Sequence, residues 1–179
     1  MPDSTMKKLF LIGLAQYFLS CHAQQPKGEL QTVFKYAIDS IVAKDIPPND
    51  TILVRSFTTN ISLITTCNSN LDNFLSTSAK DDVQKFKEAI NSSKEVNLKD
   101  IFDGTRKVSF IDSIPENLLV LNKIRRTNVI CMFSNPAFNL AADRCIFSYE
   151  IIKSGGAVIL FKKEMGKWSV DKTICEWYE

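Results

Sequence analysis

The clearest alternation of apolar and polar positions lies in Arg144 to Lys153, RCIFSYEIIK. Cys145, Phe147, Tyr149 and Ile151 fall on one face at a period of two, and Arg144, Ser148 and Glu150 on the other. That spacing predicts a half-buried strand. Ser154-Gly155-Gly156 follows as a tight turn, because paired glycines supply positive φ at little steric cost. Ala157 to Phe161, AVILF, is apolar on both faces and predicts a central strand with two partners. Met165-Gly166-Lys167 marks the next turn. The strand from Lys167 to Trp177 then puts Trp168, Val170 and Ile174 on one face, with Cys175 and Trp177 on the other. Val129 to Phe133 reads as a further strand upstream, and Pro136 suits a strand end or a bulge. Together these segments predict an antiparallel β-meander over the C-terminal third.

A helical period governs the other end. From Gly28 to Lys44, Leu30, Val33, Phe34, Ala37, Ile38, Ile41 and Val42 recur at the three- and four-residue spacing of one helix face. Glu29, Gln31, Lys35, Asp39 and Lys44 occupy the opposite face. The stripe reads as core packing rather than a membrane surface. Pro47-Pro48-Asn49-Asp50 stops this helix, and Thr51 to Thr58 reads as a strand. Asn60 to Ser78 is polar, with Leu63, Ile64, Leu71, Phe74 and Leu75 as scattered apolar anchors, and predicts a loop with a short helix. Ser78 to Asn91 predicts a second helix, capped by Ser78, with Asp81 and Asp82 at its positive N-terminal end. Val108 to Ile111 predicts a short strand, and Ile114 to Arg126 a helix opened by Pro115. The expected class is α+β, with the N-terminal amphipathic helix and the other helices packed on one face of an antiparallel sheet that ends in the meander.

The first residues change the picture of where the chain goes. Met6-Lys7-Lys8 precedes the apolar run Leu9 to Leu19, a charged region and a hydrophobic region of secretory-signal type, too short to span a bilayer. Phe18-Leu19-Ser20-Cys21 resembles a lipobox, which would make Cys21 a lipidated N-terminus. Cys21-His22-Ala23 also suits ordinary cleavage before Gln24. The lipobox is the favoured reading and both cleavages stay open. The chain therefore divides into a signal over 1–23, a short tether over 24–27, and one α+β domain over 28–179. Export is expected, as a membrane-anchored lipoprotein of the cell envelope, with a soluble periplasmic or secreted form as the alternative.

Charge and composition narrow the chemistry. Hydrophobic residues make up 45% of the chain and charged residues 23%, a globular balance. Removing residues 1–23 takes away Lys7, Lys8 and Asp3 from 22 basic and 20 acidic residues, leaving 20 and 19. Near neutrality, with no basic stripe, disfavours a nucleic-acid partner. The single histidine, His22, lies in the signal. A processed chain without histidine excludes Ser-His-Asp and Cys-His nucleophile activation and mixed histidine zinc sites. No Gly-x-Gly-x-x-Gly or Walker-type loop and no Cys-x-x-Cys occurs. Neither a cofactor nor a metal is expected.

What remains is a short set of candidates. Apart from Cys21, the cysteines are Cys67, Cys131, Cys145 and Cys175, which allow two disulfides in three connectivities, or buried free thiols. Asp81-Asp82, Asp100 with Asp103, and Glu176 with Glu179 could supply an acid and a base, and equally read as helix-start and surface charge. Trp177 and Tyr178 form a candidate ligand platform, although adjacent strand residues point to opposite faces.

The run Ser134-Asn135-Pro136-Ala137-Phe138, the strand around Phe147-Ser148-Tyr149, a glycine turn, Leu160-Phe161-Lys162-Lys163, Gly166-Lys167-Trp168 and a closing Trp177 resemble the tail of a family of small exported bacterial proteins of uncharacterised function, read as lipoproteins. The signal-bearing N-terminus and the helix-then-strand from Tyr36 to Thr59 are similar too. Many proteins of that family carry a Cys-Gly-Gly-x-Cys-Gly-like turn where this chain has Lys153-Ser154-Gly155-Gly156 and lacks both turn cysteines, so an activity of that loop does not transfer. The resemblance implies an exported protein and supplies no reaction and no ligand. The expected function is that of a non-catalytic envelope protein binding another protein, a peptide or a glycan. A carboxylate-based hydrolase of envelope polymers, and an inhibitor or immunity protein against an extracellular enzyme, are the alternatives.

Overall fold

The computed structural model describes residues 27–47, 50–61, 65–91, 95–102, 107–114 and 129–178. The segments expected as signal (1–23, with Cys21) and as most of the tether (24–26) lie outside the described residues, as does nearly all of the helix expected from Ile114 to Arg126.

Helix α1 spans Lys27–Ser40 and runs on into a 3₁₀ turn at Val42–Asp45. Strand β1 is Ile52–Arg55. Helices α2, Asn68–Thr77, and α3, Lys80–Ile90, follow before strand β2, Val108–Ile111. The C-terminal part holds β3, Val129–Phe133; β4, Ala137–Phe138; β5, Arg144–Ile151; β6, Gly155–Glu164; and β7, Lys167–Tyr178. All seven strands join one sheet in the order β2-β1-β3-β5-β6-β7, with β4 paired to β5.

The α+β class and the C-terminal hairpins match the hydrophobic pattern. Two features differ. The sheet is mixed: β1 pairs in parallel with both β2 and β3, while the rest is antiparallel. A parallel pair needs a long crossover, and α2 with α3 lies in the one between β1 and β2. The helices also cover both faces of the sheet rather than one. Val33, Phe34, Ala37 and Ile38 of α1 pack on Ile52, Val54, Phe133, Cys145, Phe147 and Phe161. Leu71, Leu75, Phe86 and Ile90 of α2 and α3 pack on Ile146, Val158, Leu160 and Ile174. Strand β5 therefore buries Ile146 and Ser148 as well as Cys145 and Phe147, and is covered on both sides.

Aromatic rings set the α1 face. Phe133, Phe147 and Phe161 stack across β3, β5 and β6 with centroids 5.6 Å apart at each step. Phe34 of α1 meets Phe133 and Phe147 edge-on at 6.0 and 5.5 Å. Each such pair adds about 0.5–1.5 kcal/mol beyond burial. Trp168 is buried in the same layer, and its Nε1 donates to Thr32 Oγ1 at 3.1 Å, tying β7 to the first turns of α1.

Strand β7 departs from strict alternation. The β6–β7 register shifts between Val158 and Ile159 and again between Leu160 and Phe161. Asp171 is the extra residue of the bulge between Trp168 and Ile174 and reverses the facing once, while the other bulge falls at Ile174 itself. Trp168 thus lies on the α1 face and Ile174 on the α2/α3 face, not together as a period of two predicts. Ser78 also departs from its expected role. The position before α3 is Ala79, without a side-chain cap, while Ser78 Oγ donates back to the Phe74 carbonyl at the end of α2.

Candidate binding cleft and hairpin end

Helix α2 leans over the edge strand β7, and a cleft opens between them. Two contacts fix the approach. Cys67, just before α2, is bonded to Cys175 of β7, and Asn70 Nδ2 donates to the Ile174 carbonyl at 3.4 Å. The apolar side of α2 turns inward through Leu71 and Leu75. Its other side presents Ser69, Asn70, Asn73 and Thr77 to a lobe of about 360 Å³ floored by Phe74 and Ile174. Lys172 Nζ stands 6.0 Å from the Phe74 ring centroid, a cation over an aromatic face.

A second lobe of about 610 Å³ continues from Phe74, Thr77 and Lys172 towards α3 and the loop between β4 and β5. Asn139 organises that loop. Its Oδ1 accepts from the backbone N–H of Asp143 and Arg144 at 3.2 and 3.0 Å, and its Nδ2 donates to Asp143 Oδ1 at 2.8 Å. Ala142 takes a positive φ of 54° inside the same turn. Asp143 and Arg144 are thereby set at the lobe opposite Asp82 of α3. Arg144 also approaches Asp171 at 3.9 Å, and Lys162 reaches the same carboxylate at 3.8 Å, so the rim carries both signs of charge.

The candidate residues distribute as follows. Cys67 and Cys175 form a disulfide, whereas Cys131 and Cys145 are buried free thiols. Burial pushes both thiols up, far from the thiolate form a nucleophile needs. Of the paired carboxylates, Asp82 lines the second lobe, while Asp81 and Asp100 are exposed elsewhere. Asp103 and Glu179 lie outside the described residues. Among the described residues, no group of three or more His, Cys, Asp or Glu is placed to hold a metal, and no helix is long and apolar enough to cross a membrane.

Trp177 and Tyr178 both border the hollow at the end of the β5–β6 hairpin, but their side chains lie on opposite faces of β7. Trp177 pairs with Gly156 and packs against the α2/α3 cluster, while Tyr178 pairs with Gly155 on the opposite face and is 83% exposed. Glu176, Tyr149 and Ile151 line the same hollow as Tyr178. Tyr178 Oη donates to Glu176 Oε2 at 3.2 Å. Burial, reinforced by the Glu176 charge, raises the pKa of Tyr149.

The cleft was missed by sequence reasoning. Its walls come from the polar α2 segment and from a loop whose turn residue is Ala142 rather than glycine. The readable signal was Asn139 four residues before Asp143, a spacing that lets an Asn side chain close a turn on the backbone. No family model, curated protein or solved structure matches the chain.

Proposed function

We propose that this chain is a non-catalytic binding protein of the cell envelope, exported and anchored through Cys21, that holds a segment of peptide or glycan in the cleft between α2, α3 and β7. The observation that carries the reading is the cleft itself. Two adjoining lobes share Phe74, Thr77 and Lys172, so hydroxyl, amide, aromatic and charged groups line one continuous track. That mixture suits a polar polymer, where a few oriented hydrogen bonds and one stacking face fix the ligand. The Cys67–Cys175 bond supports export, because such bridges persist in oxidising compartments and are rare in the cytosol.

Titration of the labelled protein with envelope glycan fragments and with extended peptides tests this. Saturable amide shifts at Asn70, Asn73, Thr77 and Lys172 are the expected result. Binding that leaves those four residues unmoved, or that survives Asn73→Arg, would place the ligand elsewhere. The anchor is tested separately, by the intact mass of the protein from its host.

A second reading draws on one observation. Asp82 and Asp143 line the same lobe, as a carboxylate-based hydrolase of envelope polymers would require. It predicts turnover of such a polymer that is lost in both Asp82→Asn and Asp143→Asn. Binding without turnover would leave the first reading standing.

A further inference from the structure

The end of the β5–β6 hairpin is a second concave feature, on the opposite face of the sheet from the cleft. In this part of the sheet, residues directly paired across strands share a face. Tyr149 of β5 pairs with Ala157 of β6, which pairs with Glu176 of β7. In the next rank Ile151 pairs with Gly155, which pairs with Tyr178. The middle position of that rank therefore has no side chain, and a gap opens between Ile151 and Tyr178. The result is a cup of about 190 Å³ bordered by Tyr149, Ile151, Ser154, Glu176 and Tyr178, with Gly155, Gly156 and Trp177 completing its lining.

The gap is obligatory. Gly155 has a φ of 114°, and a Cβ there would fall 2.0 Å from the Trp177 carbonyl oxygen. No other residue fits, so the cup persists whatever surrounds it. Its chemistry is specific: two phenol rings from different strands in adjacent ranks, with the Glu176 carboxylate in the same rank as Tyr149 and next to Tyr178 along β7.

We propose that this cup is a binding site for a cationic amine head group, a quaternary or primary ammonium, held over the Tyr149 and Tyr178 rings and balanced by the Glu176 carboxylate. A ring face attracts a cation within about 6 Å of its centroid, and most strongly where several aromatic groups converge. The small volume suits a head group rather than a polymer chain. Glu176 accepts from Tyr178 Oη, which fixes both the carboxylate and the ring in place before the ligand arrives. Both tyrosines have raised pKa values, so both stay neutral and add no competing requirement near neutral pH.

Tetramethylammonium chloride is the probe, titrated into the native protein at constant ionic strength, with tert-butanol as a neutral analogue of similar shape. The readout is the ring resonances of Tyr149 and Tyr178. Saturable shifts of both rings with the cation, and none with the alcohol, are expected. Glu176→Gln and Tyr178→Ala should each weaken the affinity about tenfold. Both positions are exposed, so fold retention is readily checked by the unchanged Trp168 resonance. Shifts that fail to saturate, an equal response to the alcohol, or full affinity in Glu176→Gln would each overturn the assignment. The cleft residues Asn73 and Lys172 should not respond, which separates this site from the proposed polymer track.

Discussion

The indole of Trp177 lies directly over Gly156: a Cβ placed on Gly156 would sit 2.5 Å from Trp177 Cζ2 and 2.3 Å from the carbonyl oxygen of Tyr149. The two contacts differ in kind, since an indole can move and a paired backbone oxygen cannot. Gly156→Ala should therefore destabilise the fold by about 1–3 kcal/mol or more. The loss should remain when Trp177→Ala is added, because the Tyr149 oxygen still blocks the methyl. Denaturation midpoints of the two single variants and the double variant measure this. Full recovery in the double variant would mean that only the ring forbids a side chain here.

The pair of glycines shows what a sequence can and cannot disclose. Gly155-Gly156 announced a hairpin, and Gly155 does take a positive φ there. That Gly156 serves instead as the seat of Trp177 depends on which strand lies alongside, and local pattern does not carry that information. The same division holds elsewhere. The apolar stripe of α1 was legible because every third or fourth residue is buried against one surface. Strands β1 and β2 were legible as strands but not as parallel neighbours, being four residues long with no hairpin turn to join them. The facing of Ile174 was lost at a bulge that lacks a glycine or proline signal. The partner of Cys67 lies 108 residues away, so spacing alone left three connectivities open. The cleft was the least visible feature, since it forms where a polar helix, an edge strand and the Asn139 turn converge from three parts of the chain.

Trp168 tests the placement of β7. Its ring is only 6% exposed, tilts against Phe138 at 5.9 Å, and hydrogen-bonds to Thr32. Trp168→Ala should cost about 3–5 kcal/mol. Trp168→Phe keeps most of the packing and removes the N–H, so it should cost less, with about 1 kcal/mol attributable to the hydrogen bond. Thr32→Val removes the same bond from the α1 side. Thr32 Oγ1 also donates to the Glu29 carbonyl, so Thr32→Val carries a cost of its own, and a double-mutant cycle between Trp168→Phe and Thr32→Val should show a coupling of about 1 kcal/mol for the shared bond. Additive losses, or an unchanged midpoint in Trp168→Ala, would contradict the contact.

The disulfide is expected to hold both the fold and the cleft. It ties the start of α2 to the edge strand, and it closes a long loop, whose unfolded chain loses much freedom. Removing it should cost about 2–5 kcal/mol, seen equally in reductant and in a Cys67→Ser, Cys175→Ser double variant. The unreduced native protein should weigh about 2 Da less than its fully reduced form, the signature of one bridge. Cys131 and Cys145 should resist alkylation until the protein unfolds, because burial disfavours their thiolates. A deficit of about 4 Da, or rapid alkylation of either thiol in the native state, would require a different cysteine arrangement.

The tyrosines at the hairpin end should give the fold an alkaline limit. Tyr149 and Tyr178 both titrate above the ordinary value of 10.0, Tyr149 chiefly through burial and Tyr178 chiefly through its hydrogen bond to Glu176. The folded state thus holds these protons more tightly than the unfolded chain. Their contribution is complete below the unfolded pKa and is lost as pH rises through the raised folded values. Phenolate absorbance, with Tyr149→Phe and Tyr178→Phe as references, resolves the two groups. Glu176→Gln should lower the Tyr178 value most, because its main cause disappears. Tyr149 should fall less, because burial is untouched. If Tyr178 titrated unchanged in Glu176→Gln, the hydrogen bond that orders the cup would not exist in solution. The ammonium site would then lose the preorganised carboxylate on which its selectivity for a cation rests.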